Sequence, residues 1–325
     1  MNKQNKHQHD AHGRVNVPTR LARAESAVCI GVLLLAGCAP PPGVVVVKPL
    51  LDPGQMAFAG AVDIGGRKLW LECAGIGEPT ILFDAALQRG AWKPARLAAE
   101  LSAVTRVCFY DRPNTVGGRS DPVAGARTSQ DIVNDLETLL FVAGAQPPWI
   151  LVGHGFGGMN MTLFAAQHPN QVTGLILMEP QPPNTIERWA MMLRFSEGVA
   201  SPTAYNRPIA DLARGAAENI DLATSAEQLR GAPGLGRMPV RLFAASRPLD
   251  GWITVADPPT RERLARVWKD DRGFYDWLAP GIRIFEVEDS NELAVSASEE
   301  LILDQAIELI VRYRTCCGPL AMAMP

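Results

Sequence analysis

The chain has 325 residues, 47% of them hydrophobic and 20% charged, which supplies ample apolar material for one large core. Lys and Arg number 31 against 34 Asp and Glu, a net charge of −3, so no basic surplus recommends nucleic acid as a partner. Past the first 38 residues only His154 and His168 remain, and no zinc-ligand spacing occurs, so neither a metal site nor a cofactor is expected.

The first 38 residues read as an address rather than part of the fold. Arg14, Arg20 and Arg23 form a basic segment, followed by the apolar run Ala27 to Gly37. That run is too short to cross a bilayer, which takes about 20 residues. It ends in Leu35-Ala36-Gly37-Cys38, which resembles the lipobox of bacterial lipoproteins. The resemblance implies that residues 1–37 are a signal peptide and that Cys38 carries the lipid. Residues 38–55 then read as a tether, since Ala39-Pro40-Pro41-Pro42-Gly43 favours extended polyproline-like chain. The expected location is the bacterial cell envelope, with the membrane contacted through the lipid on Cys38.

From residue 56 to 315 short apolar strands alternate with helical stretches, the signature of a mostly parallel sheet flanked by helices. Ala57 to Ile64 and Lys68 to Cys73 flank Gly65-Gly66, a hairpin signal. The other strand candidates are Thr80 to Phe83, Arg106 to Tyr110, Trp149 to Gly153, Thr173 to Met178, Val240 to Ala244 and Ile282 to Val287, eight in all. Ile132, Leu136, Leu139 and Leu140 recur at helical spacing between Gln130 and Ala143, and Thr128 with Asp131 makes a capping-box start. A last helix is expected over Glu299 to Arg314, before a tail at 316–325. Residues 181–236 break the rhythm with Pro, Gly and no strand candidate. They are expected to form a helical lid insertion, with Trp189, Met192 and Phe195 on its apolar underside.

Leu151 to Gly158 (LVGHGFGG) lies after a strand and before a helical run. Its glycines do not form a P-loop, which would end in Lys-Ser/Thr, and they come too late for a first-turn dinucleotide site. The segment resembles the nucleophile elbow of α/β-hydrolases, G-x-S-x-G, in every part but the serine. Leu71-Glu72-Cys73, Thr105 to Pro113, Arg119 to Pro122 and Arg127-Thr128 likewise resemble exported, esterase- or lipase-like members of that family. The resemblance implies an α/β-hydrolase fold and a serine, histidine and acid set, and it puts Gly155 at the nucleophile position. It puts Glu292 at the histidine, in Glu288-Asp289-Ser290-Asn291-Glu292. Ser246-Arg247-Pro248 stands where an acid often follows the seventh strand, with Asp250 nearby. The oxyanion loop, normally glycine-bearing, is Asp84-Ala85-Ala86-Leu87.

Gly155 has no side chain with which to form an acyl-enzyme. His154 is expected to pack away from the pocket, and His168, before Pro169, to lie at the surface. What the resemblance leaves is a binding geometry: the Phe156 amide at a helix start, with Ala85 and Ala86, could hold a carbonyl or carboxylate. Three functions therefore compete. One is a tethered pseudoenzyme that binds a small apolar or carbonyl-bearing ligand. A second is a divergent hydrolase of ester-type substrates using Glu292 or Asp250. The third is a structural envelope lipoprotein. Cys73 and Cys108 fall on the second and fourth strands, neighbours in the family's sheet, and read either as a disulfide or as two buried free thiols. Cys316 and Cys317 read as free or as cross-linking chains.

Overall fold

A computed structural model of the chain describes residues 57–87, 94–185, 188, 191, 218–246, 258–288 and 299–317. Eight strands form one sheet in the order β1-β2-β4-β3-β5-β6-β7-β8. They are β1 (Ala57–Asp63), β2 (Lys68–Ala74), β3 (Thr80–Asp84), β4 (Val107–Tyr110), β5 (Trp149–His154), β6 (Val172–Met178), β7 (Val240–Ala245) and β8 (Arg283–Val287). All eight coincide with the strands expected from the sequence, to within a residue at each end. β2 pairs antiparallel with β1 and β4, and every other pairing is parallel.

Burial follows position in the sheet. Every residue of β3, β5 and β7 is buried, whereas β1 at the edge alternates towards solvent. Central strands covered on both faces must be apolar on both, which is why they read as continuous hydrophobic runs. Alternate side chains then feed two cores. Leu82, Leu151, Leu175 and Leu242 pack on one face, with helices α2 (Ser129–Ala143) and α3 (Phe156–Gln167). Ile81, Phe83, Ile150, Val152 and Ile176 pack on the other, against Leu97 and Leu101 of α1 (Ala95–Ser102). Ile302, Ala306 and Leu309 complete that second core from the far end of the chain.

Local signals work as the sequence suggests. The Thr128 hydroxyl accepts from the Asp131 amide while the Asp131 carboxylate accepts from the Thr128 amide, closing the capping box of α2. Gly144 ends that helix at φ 72°, a left-handed turn that costs glycine little. In the β1–β2 hairpin the Gly65 and Gly66 amides both donate to the Asp63 carboxylate, at 2.9 and 3.0 Å. Cys73 and Cys108 face each other across β2 and β4 and are joined by a disulfide, so they are not free thiols.

The second half of the 181–236 span contains α4 (Leu222–Arg230), whose Leu222 and Leu229, with Ile220 just before them, join the main core. Asp221 caps α4 by accepting from the Thr224 amide at 2.9 Å. The chain continues through α5 (Pro258–Asp271), α6 (Gly273–Leu278) and α7 (Glu299–Cys316). Trp189, Met192 and Phe195 lie outside the described residues, as do Cys38 and the tether. Cys316 and Cys317, at the end of α7, are exposed free thiols. Among the described residues no helix is long and apolar enough to cross a membrane.

Candidate active site

The turn between β5 and α3 stands at the carboxyl end of the parallel strands, where ligands of open α/β sheets bind. Gly155 adopts φ 54° and ψ −117°, a region that residues with a side chain enter only under strain. Hydrogen bonds hold it there. Its amide donates to the Met178 carbonyl at 2.9 Å, and its carbonyl accepts from the Gly158 and Gln181 amides at 3.0 and 3.1 Å.

The neighbouring glycines are demanded by close packing. A Cβ on Gly153 would lie 2.5 Å from the Gly158 Cα, and one on Gly157 would lie 2.3 Å from the Asp84 carbonyl oxygen. A Cβ on Gly158 would meet Pro180 at 2.9 Å. The start of α3 is therefore pressed against both the end of β5 and the loop after β3. The Phe156 amide opens α3, where the first four N–H groups have no acceptor within the helix and the dipole is positive.

Beneath the turn lies a buried polar network that sequence reasoning missed. Arg112, just past β4, pairs with Asp84 at the end of β3 and binds both carboxylate oxygens of Glu218 at 2.8 and 2.9 Å. Its remaining N–H groups reach the carbonyls of Ala85 at 2.7 Å and Ala86 at 3.2 Å. The other Asp84 oxygen accepts from Asn160 of α3 at 2.9 Å, and Asn160 in turn accepts from Ser129 at 2.7 Å. Burial alone would depress the Arg112 guanidinium, but the Asp84 and Glu218 charges outweigh it and hold the pKa above its ordinary value. Tyr110 is also buried here. Burial first, then the Asp84 charge, pushes its phenol well above the usual range, so it stays neutral.

Arg112 was legible only as part of a fold signature, Asp111-Arg112-Pro113. Its position directly after a strand at the sheet's carboxyl end was the available signal. Nothing local marks Glu218, which reaches the site from 106 residues away.

The structure brings Gly155, Phe156, Ala85 and Ala86 together, because Asp84 pairs in register with Gly153. Glu292 and Asp250 lie outside the described residues. His154 is buried at the end of β5, and His168 is half-buried at the end of α3 with its ring 4.5 Å from that of Phe164. Among the described residues no group of three His, Cys, Asp or Glu side chains could hold a metal ion.

A model of the alpha/beta hydrolase family matches residues 73–302, well over half of the chain. The chain belongs to that family. Solved hydrolase folds agree with the architecture. The mouse alpha/beta hydrolase domain-containing protein 10 superposes with a TM-score of 0.55 at 17% identity, over 79% of this chain and 99% of that one. A probable hydrolytic enzyme of Pseudomonas aeruginosa PAO1 gives 0.53 at 18% identity, over 80% of this chain and 95% of its own. Among curated relatives, an uncharacterised protein of Schizosaccharomyces pombe is 38% identical over 33% of this chain and 20% of its own length. The protein YqjL of Bacillus subtilis is 31% identical over 31% of this chain and 39% of its own. This chain thus spans well under half the length of the curated relatives it matches.

Proposed function

We propose that this hydrolase-fold protein is a membrane-tethered, non-catalytic member of its family that binds an apolar, carbonyl-bearing ligand at the elbow. One observation carries the reading. The backbone of the elbow is complete, from strand end through strained apex to helix start, and the residue at its apex is glycine. The strain that would lift a serine oxygen towards a substrate lifts only a hydrogen.

Acyl transfer at this position has no nucleophile. In a serine hydrolase that loss alone costs about 10⁶ in turnover, roughly 8 kcal/mol of barrier. The donors around the apex do not depend on the missing side chain, because they are backbone N–H groups at a helix start and in the β3 loop. They suit a ligand carbonyl that is held without being attacked.

The topology is compatible with a tether at the amino-terminal side. Ala57 pairs with Ala74, which pairs with Val107 at the start of β4. The chain therefore enters the sheet at the end opposite the elbow.

The test of inactivity is a fluorophosphonate serine probe and a short-chain ester assay on the purified protein. No labelled serine and no turnover above buffer is expected, and labelling of any serine together with turnover would refute the reading. The test of the tether is metabolic labelling with an alkynyl fatty acid, in which Cys38→Ala should abolish the signal. Ligand binding is read as a rise in melting temperature with medium-chain fatty-acid methyl esters.

A further inference from the structure

We infer that Arg112 is the residue that positions the ligand-binding donors of the β3 loop, and that Glu218 sets Arg112, so the hole is assembled from the far side of the chain. The inference rests on the binding role proposed for the elbow. The geometry begins with one guanidinium gripping two successive carbonyls, those of Ala85 and Ala86. A trans peptide points its N–H opposite to its C=O. The Ala86 and Leu87 amides must then point away from Arg112, on one side of the loop. Two successive N–H groups turned the same way make a concavity that favours an oxygen with negative character.

That concavity lies on the side of the loop away from Arg112. The Arg112 side chain is 2% exposed and lies on the buried side, whereas Ala85 and Leu87 are half-exposed. The loop also sits against α3, since a Cβ on Gly157 would come within 2.6 Å of the Ala85 oxygen. The Phe156 amide, one residue earlier, is the third donor at the same corner.

Glu218 makes the arrangement depend on a distant part of the chain. Its carboxylate is fully buried and takes two of the Arg112 N–H groups side by side, the bidentate geometry that fixes a guanidinium plane. The segment carrying it is docked in turn. The Arg127 amide donates to the Asn219 carbonyl at 2.9 Å, and the Asp221 amide donates to the Arg127 carbonyl at 2.7 Å. The returning end of the 181–236 span is thereby linked through one side chain to the oxyanion corner. Lysine could not do this work, because a single ammonium cannot span two carboxylates and two carbonyls.

The experiment is residue-resolved amide 1H–15N spectroscopy on the full-length chain, comparing the unmodified protein with Glu218→Gln and Arg112→Lys. The Ala86 and Leu87 amide resonances should shift in both variants, because their peptides lose the guanidinium that orients them, while those of Leu151 and Leu177 in the central strands keep their positions. Glu218→Gln is the decisive variant, since it keeps the size of the side chain but removes its charge and one of the two oxygens that accept from Arg112. An unmoved Ala86 resonance in that variant overturns the inference. So do shifts spread across the whole sheet, which would make the network a general fold contact. A thermal shift with methyl decanoate separates the two readings. If the resonances move as expected but the ester stabilises neither protein nor variants, the positioning role stands and the binding role fails.

Discussion

Replacing Gly155 with alanine tests whether the elbow is held in strain by the rest of the fold. At φ 54° and ψ −117° a Cβ sits in a sparsely populated region, at a cost of about 1–3 kcal/mol. Alanine also restricts the unfolded chain, which returns roughly 0.4–1 kcal/mol. The net loss should be about 1–2 kcal/mol, or a fall in melting temperature of roughly 2–8 °C for a domain of this size. The matched control is Gly273→Ala at the start of α6, where φ is not left-handed and an added Cβ meets nothing within 4 Å. That change should be neutral or slightly stabilising, because alanine favours helix and lowers unfolded-state entropy. Circular dichroism melts of the two variants, run side by side, decide the matter. If Gly155→Ala is as stable as Gly273→Ala, the apex is unstrained and the argument from elbow geometry collapses.

Three other outcomes are expected. Gly157→Ala would force a Cβ onto the Asp84 and Ala85 carbonyl oxygens, at 2.3 and 2.6 Å. The β3 loop must move, at a cost of about 1–3 kcal/mol in urea unfolding, and an undiminished midpoint would show the packing to be looser than described. Removing the Cys73–Cys108 disulfide as Cys73→Ala with Cys108→Ala reopens a link between residues 35 apart. The chain-entropy loss is about 3–4 kcal/mol, read as a lower melting temperature that reductant no longer changes. Asp221 has its carboxylate held below the ordinary value by the Thr224 amide first and the Thr224 hydroxyl second. A depressed pKa means that this stabilisation is present above the unfolded value, about 3.9, and is lost as pH falls through the folded one. Asp221→Ala should therefore cost about 1 kcal/mol at pH 7 and almost nothing in strong acid, whereas a cost equal at both pH values would dismiss the cap.

The strands were legible because period-2 alternation and continuous apolar runs are imposed by which faces a sheet buries, and Trp149 to Gly153 could hardly be anything else. The Thr128 capping box was legible because both partners lie within three residues. The 218–230 segment was harder. Its Ile220, Leu222 and Leu229 enter the core, but the Pro and Gly around them blur the helical period. Glu218 was invisible for a different reason. A buried carboxylate is recognisable only through its partner, and Arg112 is brought to it by tertiary packing. The oxyanion corner fell between these cases. Ala85 and Ala86 could be placed by resemblance, but the direction of their peptides depends on a guanidinium arriving from another strand.

The elbow separates two constraints that a motif normally merges. Gly153 and Gly157 are required by backbone approaches of 2.5 and 2.3 Å to a would-be Cβ, and Gly158 by the Pro180 Cβ at 2.9 Å, and those approaches exist whether or not anything is hydrolysed. They are fold constraints. A chain that needs β5, α3 and the β3 loop in contact must keep these glycines whatever its chemistry. The residue at the apex is under the opposite pressure. Its positive φ disfavours any side chain, so in an active hydrolase the nucleophile occupies a conformation that costs stability, and only function offsets that cost. Once the function is relieved, glycine is the residue that relaxes the strain without disturbing the turn. The motif's survival around Gly155 therefore reports the fold, and Gly155 alone bears on the chemistry.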